Sequence, residues 1–263
     1  LNRDREGGTT SIDVYSYKTG EKTRTLLNSA DLTDINSFQS FKFSEDENKI
    51  LLSTDVEPIY RRSSKDIVYI YDVASKDLMK VSEDKIQEAS FSPDNSKLAY
   101  VFDNNIYILD LKSKEKTQVT QDGEINSVIN GITDWVYEEE FAFVKAFAWN
   151  PTGEKIAYFK SIVAQEEIDG VIEQFSYLEL HVLSIIDGTS NNLFSFAPSE
   201  LFAALLPYID QYQRTFTIWS PDSQYLALSA YTEQGPAIVV AQAESNFEPR
   251  ILEFGMLPVW SWK

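Results

Sequence analysis

Three consecutive glutamates, Glu138, Glu139 and Glu140, are the residues of this 263-residue sequence whose type and spacing most favour chemistry. They close the stretch Asn130–Glu140, which reads Asn-Gly-Ile-Thr-Asp-Trp-Val-Tyr-Glu-Glu-Glu. Adjacent carboxylates can accept charge-assisted hydrogen bonds from one ammonium group, and the large side chains of residues 135–137 would hold them against a firm wall. The stretch therefore predicts a site for a cationic ligand, with a solvated acidic turn as the alternative.

The elements that must position this stretch repeat along the chain. Four repeats have an aromatic residue, a turn and a second apolar run, and their aromatic residues are Phe43, Phe91, Trp149 and Trp219. A fifth repeat begins at Trp260 and stops where its turn should begin. In three of the repeats a Pro at the second turn position presets φ, which favours a tight connection between antiparallel strands. Further strands follow each hairpin, for example at 105–111 and 116–120. Four antiparallel strands per repeat predict an all-β fold of β-propeller blades.

The spacing of the aromatic residues sets the predicted blade count. The intervals are 48, 58, 70 and 41 residues, and the two long ones carry insertions at 122–143, 162–175 and 199–213. The second insertion is expected to form a long acidic hairpin, and Glu200–Leu206 has helix-forming residues. We expect five blades in a single propeller domain that spans residues 1–263.

Both chain ends are predicted to complete one shared blade. The amino-terminal part opens with outer strands at 10–17 and 22–27, and the carboxyl-terminal part supplies the innermost strand, Leu257–Trp262. Residues 1–5 would have to form the second strand of that blade. Closure in this way protects a sheet edge and favours a monomer, while the competing interpretation is an incomplete ring that pairs with a second chain.

Composition excludes several classes of function. Lys and Arg number 23 against 41 Asp and Glu, so the net charge of −18 repels nucleic acid and anionic membranes. The sequence contains no Cys, and its one histidine, His181, lies in an apolar run, as expected for a partly buried strand residue. No cofactor and no metal site are predicted.

Residues 12–159 resemble part of the amino-terminal propeller of the dipeptidyl peptidase IV family of serine peptidases. The stretch Asn130–Glu140 carries the most specific similarity, followed by Trp149-Asn150-Pro151-Thr152-Gly153. Supporting similarities include Phe91-Ser92-Pro93 and Tyr60-Arg61. The resemblance implies that Glu139 and Glu140 bind the free amino terminus of a peptide and that Arg61 contacts a carbonyl group of the ligand.

The residues required for peptide hydrolysis are not found in this sequence. The family's catalytic domain carries a Gly-x-Ser-x-Gly nucleophile elbow, and no two of the ten glycines here are four positions apart. No Ser, His and Asp triad can be assembled around His181 from the sequence. We therefore expect no enzymatic activity from this chain.

Composition changes abruptly near residue 160. Residues 1–160 hold 15 Lys, whereas residues 161–263 hold one, and the second part resembles a TolB-like propeller of bacteria, including cyanobacteria. The segments that carry this second resemblance are Tyr208–Tyr212, Trp219–Ser223, Ala237–Val240 and Pro258–Ser261. Two resemblances meeting at one composition break favour an engineered or recombined chimera of two propeller fragments, with a natural fusion or one divergent family as alternatives.

Three functions remain open from the sequence. The leading interpretation is a non-enzymatic chimeric scaffold. The second is a propeller that recognises free peptide amino termini through Glu139 and Glu140. The third, a platform for a protein partner, rests on analogy between folds.

Overall fold

The structure is a computed structural model that describes residues 1–168, 171–196, 218–232, 234–244 and 249–255. The predicted helix Glu200–Leu206 and the predicted closing strand Leu257–Trp262 lie outside these residues. The chain divides into two compact units. The first contains Leu1–Ile59 and Ser64–Ala89, and the second contains Tyr60–Ser63 and Ser90–Lys263.

The first unit contains two antiparallel sheets. The three strands of one sheet are β1, Asn2–Asp4; β2, Thr9–Tyr15; and β3, Lys22–Asn28. The four strands of the other are β4, Ser40–Phe43; β5, Lys49–Pro58; β6, Ser64–Asp72; and β7, Leu78–Lys80. Because β1 pairs with β2, residues 1–5 do supply the extra strand that the shared-blade prediction required.

Burial of β-branched and aromatic side chains explains the strands of the first unit. β6 carries a run of five such residues, and both Ile50 and Leu52 on β5 have no exposed surface. They pack with Phe38, Tyr69 and other residues into one apolar core. A short 3-10 helix at Ser29–Asp31 follows β3.

The next antiparallel sheet along the chain has four strands, in the order β11-β10-β9-β8. Its strands are β8, Gln87–Phe91; β9, Lys97–Phe102; β10, Asn105–Asp110; and β11, Lys116–Gln118. The next strands are β12, Val128–Asn130; β13, Phe147–Trp149; β14, Lys155–Ile168; β15, Val171–Ser184; and β16, Ser190–Phe196. The last three are β17, Tyr225–Thr232; β18, Gly235–Gln242; and β19, Arg250–Phe254.

Strands β12 to β16 form the sheet that carries the candidate site. β14 lies between β12 and β15, and β13 also pairs with β14. The β14–β15 pair runs in register from Lys155↔Ser184 to Ile168↔Val171, which confirms the predicted long hairpin. Ile156 and Leu183 are fully buried and pack with Ile106 and Ile129 in one core.

The predicted turn recurs with the same hydrogen bonds in four places. The first turn residue is Ser44, Ser92, Asn150 or Ser220, and its carbonyl accepts from the amide three residues later. That fourth residue has a left-handed backbone every time, with φ between 56° and 72° at Glu47, Asn95, Gly153 and Ser223. Each first side chain also accepts a hydrogen bond from the amide that starts the next strand. The turns close hairpins as the sequence predicts.

The all-β class and the four-stranded antiparallel sheets are thus confirmed. The number of blades, the closure by a shared blade and the single domain over residues 1–263 stay predictions.

Candidate functional site

The stretch that opened the sequence analysis ends in a short helix, α1, Trp135–Phe141, between β12 and β13. Asp134 precedes it with an extended backbone, and its carboxylate accepts a hydrogen bond from the Tyr137 amide at 3.0 Å. Such a cap satisfies one of the amides that the first helical turn leaves unpaired. The helix ends at Ala142, whose left-handed backbone stops it. Neither a helix nor its cap was predicted for this stretch.

Tyr137 anchors the helix to the sheet. Its side chain is buried and packs with Leu178, Phe143 and Phe159, and the last two rings meet edge to face at 5.5 Å. Burial raises the pKa of the Tyr137 hydroxyl, so this group stays protonated at neutral pH. Tyr137, the third residue of α1, therefore fixes the orientation of the helix. The directions of the other side chains of α1 follow from that orientation.

The expected wall of three large side chains is only partly present. Tyr137 is 3% exposed, but Trp135 and Val136 are 54% and 46% exposed. Trp135 lies four residues before Glu139, so the two share one face of the helix. The exposed indole is thus beside the candidate site rather than behind it.

Glu138 and Glu139 do not share one acidic patch. Glu138 is 1% exposed, and its Oε1 accepts hydrogen bonds from the backbone amides of Arg62 at 2.6 Å and Ser63 at 3.0 Å. The Glu139 side chain is 15% exposed and lies with its Oε2 3.3 Å from Arg61 Nε. The backbone of Glu140 belongs to α1, while its side chain lies outside the described part of the chain.

Two of the predicted site residues, Arg61 and Glu139, are therefore brought together across 78 positions of sequence. Arg61 is in the Tyr60–Ser63 loop, which belongs to the same compact unit as the helix. Its side chain is 72% exposed, and the neighbouring Tyr60 is 44% exposed. A cation and an anion stand side by side here, with aromatic surface next to them.

A second polar cluster surrounds His181, which lies on β15 with 12% of its side chain exposed. Its Nε2 is 2.8 Å from Glu179 Oε2, and its Nδ1 is 3.4 Å from Ser190 Oγ. The Tyr158 ring stacks on the imidazole at 5.1 Å. The partly buried strand histidine is confirmed, but its partners were missed. Glu179 precedes it by two residues on the same face of β15, whereas Ser190 reaches it through the pairing of β15 with β16.

Within the described residues, no group of three or more His, Asp or Glu side chains is arranged to hold a metal ion. Nor does any helix among them have the length and apolar character needed to cross a membrane.

Fold and site together resemble the β-propeller found at the amino-terminal side of dipeptidyl peptidases. Residues 44–164 match the family model described as the dipeptidyl peptidase IV N-terminal region. The matched residues include three of the four repeated turns, the loop with Arg61 and the whole of α1. The match confirms the resemblance inferred from the Asn130–Glu140 stretch.

Curated relatives show the same similarity. Human prolyl endopeptidase FAP is 35% identical over 151 residues, which are 56% of this chain and 20% of that protein. Cat dipeptidyl peptidase 4 is 33% identical over 153 residues, with the same coverage of 56% and 20%. Dipeptidyl aminopeptidase B of Saccharomyces cerevisiae is 37% identical over 124 residues, or 46% of this chain and 15% of the relative. The chain thus spans about a fifth or less of the length of these relatives.

Solved structures extend the similarity to nearly the whole chain. The dipeptidyl peptidase 4 of Porphyromonas gingivalis has a TM-score of 0.73 and 27% identity, and the match covers 95% of this chain and 37% of that one. A putative dipeptidyl aminopeptidase IV of Bacteroides ovatus, 17% identical with a TM-score of 0.55, has the same fold over 91% of this chain and 34% of its own. The resemblance of residues 161–263 to TolB-like propellers stays a prediction.

Proposed function

We propose that this chain binds the free amino terminus of a peptide. Glu139 and Glu140 accept hydrogen bonds from the ammonium group, and Arg61 donates to the first carbonyl oxygen of the peptide. The observation that carries the proposal is the ion pair of Arg61 Nε with Glu139 Oε2 at 3.3 Å. This pair supports the proposal, because a carboxylate that can accept from an ammonium lies next to a guanidinium that can donate to a carbonyl.

The ion pair leaves both partners able to bind a ligand. A carboxylate has roughly four lone-pair sites, and one contact to Glu139 Oε2 leaves most of them available. The guanidinium of Arg61 has further N–H donors beyond Nε, on a side chain that is 72% exposed. In a peptide the terminal ammonium and the first carbonyl are separated by one carbon atom, which suits an acceptor and a donor held side by side.

Shielding decides how strongly such a site can bind. A fully exposed ion pair contributes about 1 kcal/mol or less, whereas a hydrogen bond to a shielded charge contributes about 1.5–3 kcal/mol. Glu139, at 15% exposure, is closer to the shielded case. An acetylated amino terminus has no charge and fewer donors, so the site discriminates a free amine from an amide.

The relatives support the same ligand class. Cat dipeptidyl peptidase 4 and the dipeptidyl aminopeptidase B of Saccharomyces cerevisiae carry names that refer to dipeptides, and the second also refers to the amino end of a peptide. Human FAP, in contrast, is named a prolyl endopeptidase. The matched segment includes Arg61 and the glutamates. For the 263-residue chain itself we propose recognition without hydrolysis, in line with the missing Gly-x-Ser-x-Gly sequence.

Calorimetric titration tests the proposal. A short peptide with a free amino terminus is compared with the same peptide carrying an N-acetyl group, and we expect heat only from the first. Glu139→Gln should weaken binding by about tenfold to a hundredfold, because it removes a charge-assisted hydrogen bond. Glu115→Gln, at an exposed residue in the turn between β10 and β11, is the matched control and should leave affinity unchanged. Mass spectrometry of the recovered peptide should show it intact.

The chimeric scaffold remains the second candidate. The family match ends at residue 164, close to the composition break at residue 160, and this favours two parental fragments. The Porphyromonas gingivalis structure, which matches 95% of the chain, favours one divergent propeller. A scaffold without retained binding predicts equal and undetectable heats for the free and the acetylated peptide.

A further inference from the structure

We propose that Glu138 is a positioning residue, whose buried carboxylate holds the Tyr60–Ser63 loop so that Arg61 stands beside Glu139. This inference rests on the proposed function, because it assigns the residue that keeps the amine and carbonyl groups of the site together. Glu138 thus has a different role from the next two glutamates, Glu139 and Glu140, which bind the ligand.

The hydrogen bonds of Glu138 carry the inference. One oxygen, Oε1, accepts from the amides of Arg62 and Ser63, the two residues that directly follow Arg61. The distances are 2.6 Å and 3.0 Å, and the residue is 1% exposed. Bonds from backbone amides to a shielded carboxylate are among the strong ones in proteins. They restrain the backbone of the loop where Arg61 leaves it.

Helical geometry lets neighbouring glutamates contact different groups. Successive residues of a helix point about 100° apart, so Glu138 faces the loop backbone while Glu139 faces the guanidinium. The loop is thus attached to α1 twice, once through the buried carboxylate and once through the Arg61 pair. The second attachment is weak alone, since the Arg61 side chain is 72% exposed and must give up rotamer freedom to stay in place.

Glu138 is also a poor candidate for ligand binding. An ammonium group would have to reach a side chain with almost no accessible surface. Binding there would compete with two amides that have few alternatives when they are shielded from water. The carboxylate is used inside the protein, which leaves the amine to Glu139 and Glu140.

The first test needs no ligand. In Glu138→Gln the side chain keeps an acceptor oxygen but loses its charge. We expect hydrogen exchange of the Arg62 and Ser63 amides to become about tenfold to a hundredfold faster, while the amides of β9 and β10 exchange as before. Unchanged exchange at Arg62 and Ser63 in a folded variant would overturn the inference. Glu115→Gln is again the control, with no change at either place.

The second test is a double-mutant cycle on peptide affinity. Because Glu138 acts through Arg61, Glu138→Gln should weaken binding of the free peptide in the wild-type background but have little further effect in Arg61→Ala. Losses that simply add would show a general structural role and overturn the positioning role. If the wild-type chain binds no peptide, the proposed function fails, and the exchange rates still decide whether Glu138 holds the loop.

Discussion

At the residue scale, Gly131 shows why the Asn130–Glu140 stretch tolerates little change. Its φ is +76°, and a Cβ there would lie 2.8 Å from Cγ1 of Ile106 in the core. Its amide donates to the Phe159 carbonyl, and its carbonyl accepts from Ala146, so the backbone is fixed on both sides. The chain enters the helix region from a position that only a glycine fits.

Gly131→Ala is therefore expected to destabilise the protein by about 2–5 kcal/mol, the sum of left-handed strain and overpacking. Gly188→Ala is the matched control, because Gly188 has a similar φ of +71° but nothing within 4 Å of the added Cβ. It should cost only the strain, about 1–2 kcal/mol. Urea unfolding measures both, and equal losses would show that contact with Ile106 is unimportant.

At the element scale, α1 is short enough that its cap matters. A helix of 7 residues has little stability of its own and depends on packing and on the groups at its ends. Tyr137 supplies the packing, and the Asp134 carboxylate supplies the cap. Both must hold for Glu138 and Glu139 to keep their directions.

Asp134→Ala should lower the free energy of unfolding by about 0.5–2 kcal/mol and weaken peptide binding, since the first turn of α1 loses its cap. Asp134→Asn keeps an acceptor for the Tyr137 amide and should preserve most of both. Chemical unfolding and calorimetric titration of the two variants make the comparison. If the two substitutions behave alike, the cap does not organise the helix.

At the scale of the whole molecule, the repeated turns make the stability of the protein depend on pH. Hydrogen bonds from the Ser44 hydroxyl and then from Asn48 lower the pKa of Asp46 to about 2. In the corresponding turn before β17, a hydrogen bond from the Ser220 hydroxyl lowers the pKa of Asp222. Burial raises the pKa of Asp94, but hydrogen bonds from Ser92 and Ser96 outweigh it and leave that pKa lowered as well. Several turns therefore depend on an ionised aspartate.

The sign of the effect follows from the lowered values. A folded-state pKa below the ordinary value of 3.8 means that the aspartate stabilises the fold above about pH 3.8 and loses that contribution as the pH falls toward 2. We expect the urea midpoint to be flat from pH 7 to about pH 5 and to fall below about pH 4. Asp46→Asn, which cannot titrate, should show a shallower fall, and an unchanged slope would rule out a contribution from this turn.

The turns and strands could be predicted from the sequence because their signals are local. Ser92, Pro93 and Asp94 specify a tight turn among near neighbours, and alternating apolar residues such as those of β10 specify a strand that buries its side chains. The resemblance carried by Asn130–Glu140 and Tyr60-Arg61 added Glu139, Glu140 and Arg61 as site residues, and the structure shows the contact between Arg61 and Glu139. α1 escaped prediction because seven residues with one cap give too weak a pattern.

By itself the sequence determined the all-β class, the hairpin turns and the resemblance to a dipeptidyl peptidase propeller, all of which depend on neighbouring residues. Only the tertiary structure decided which groups Glu138 and Glu139 contact. Glu138 and Glu139 have the same chemistry and adjacent positions, so no rule of sequence separates them. Their contacts differ because α1 turns one carboxylate toward the amides of Arg62 and Ser63 and the other toward the Arg61 guanidinium, and both partners come from a loop more than 70 residues away.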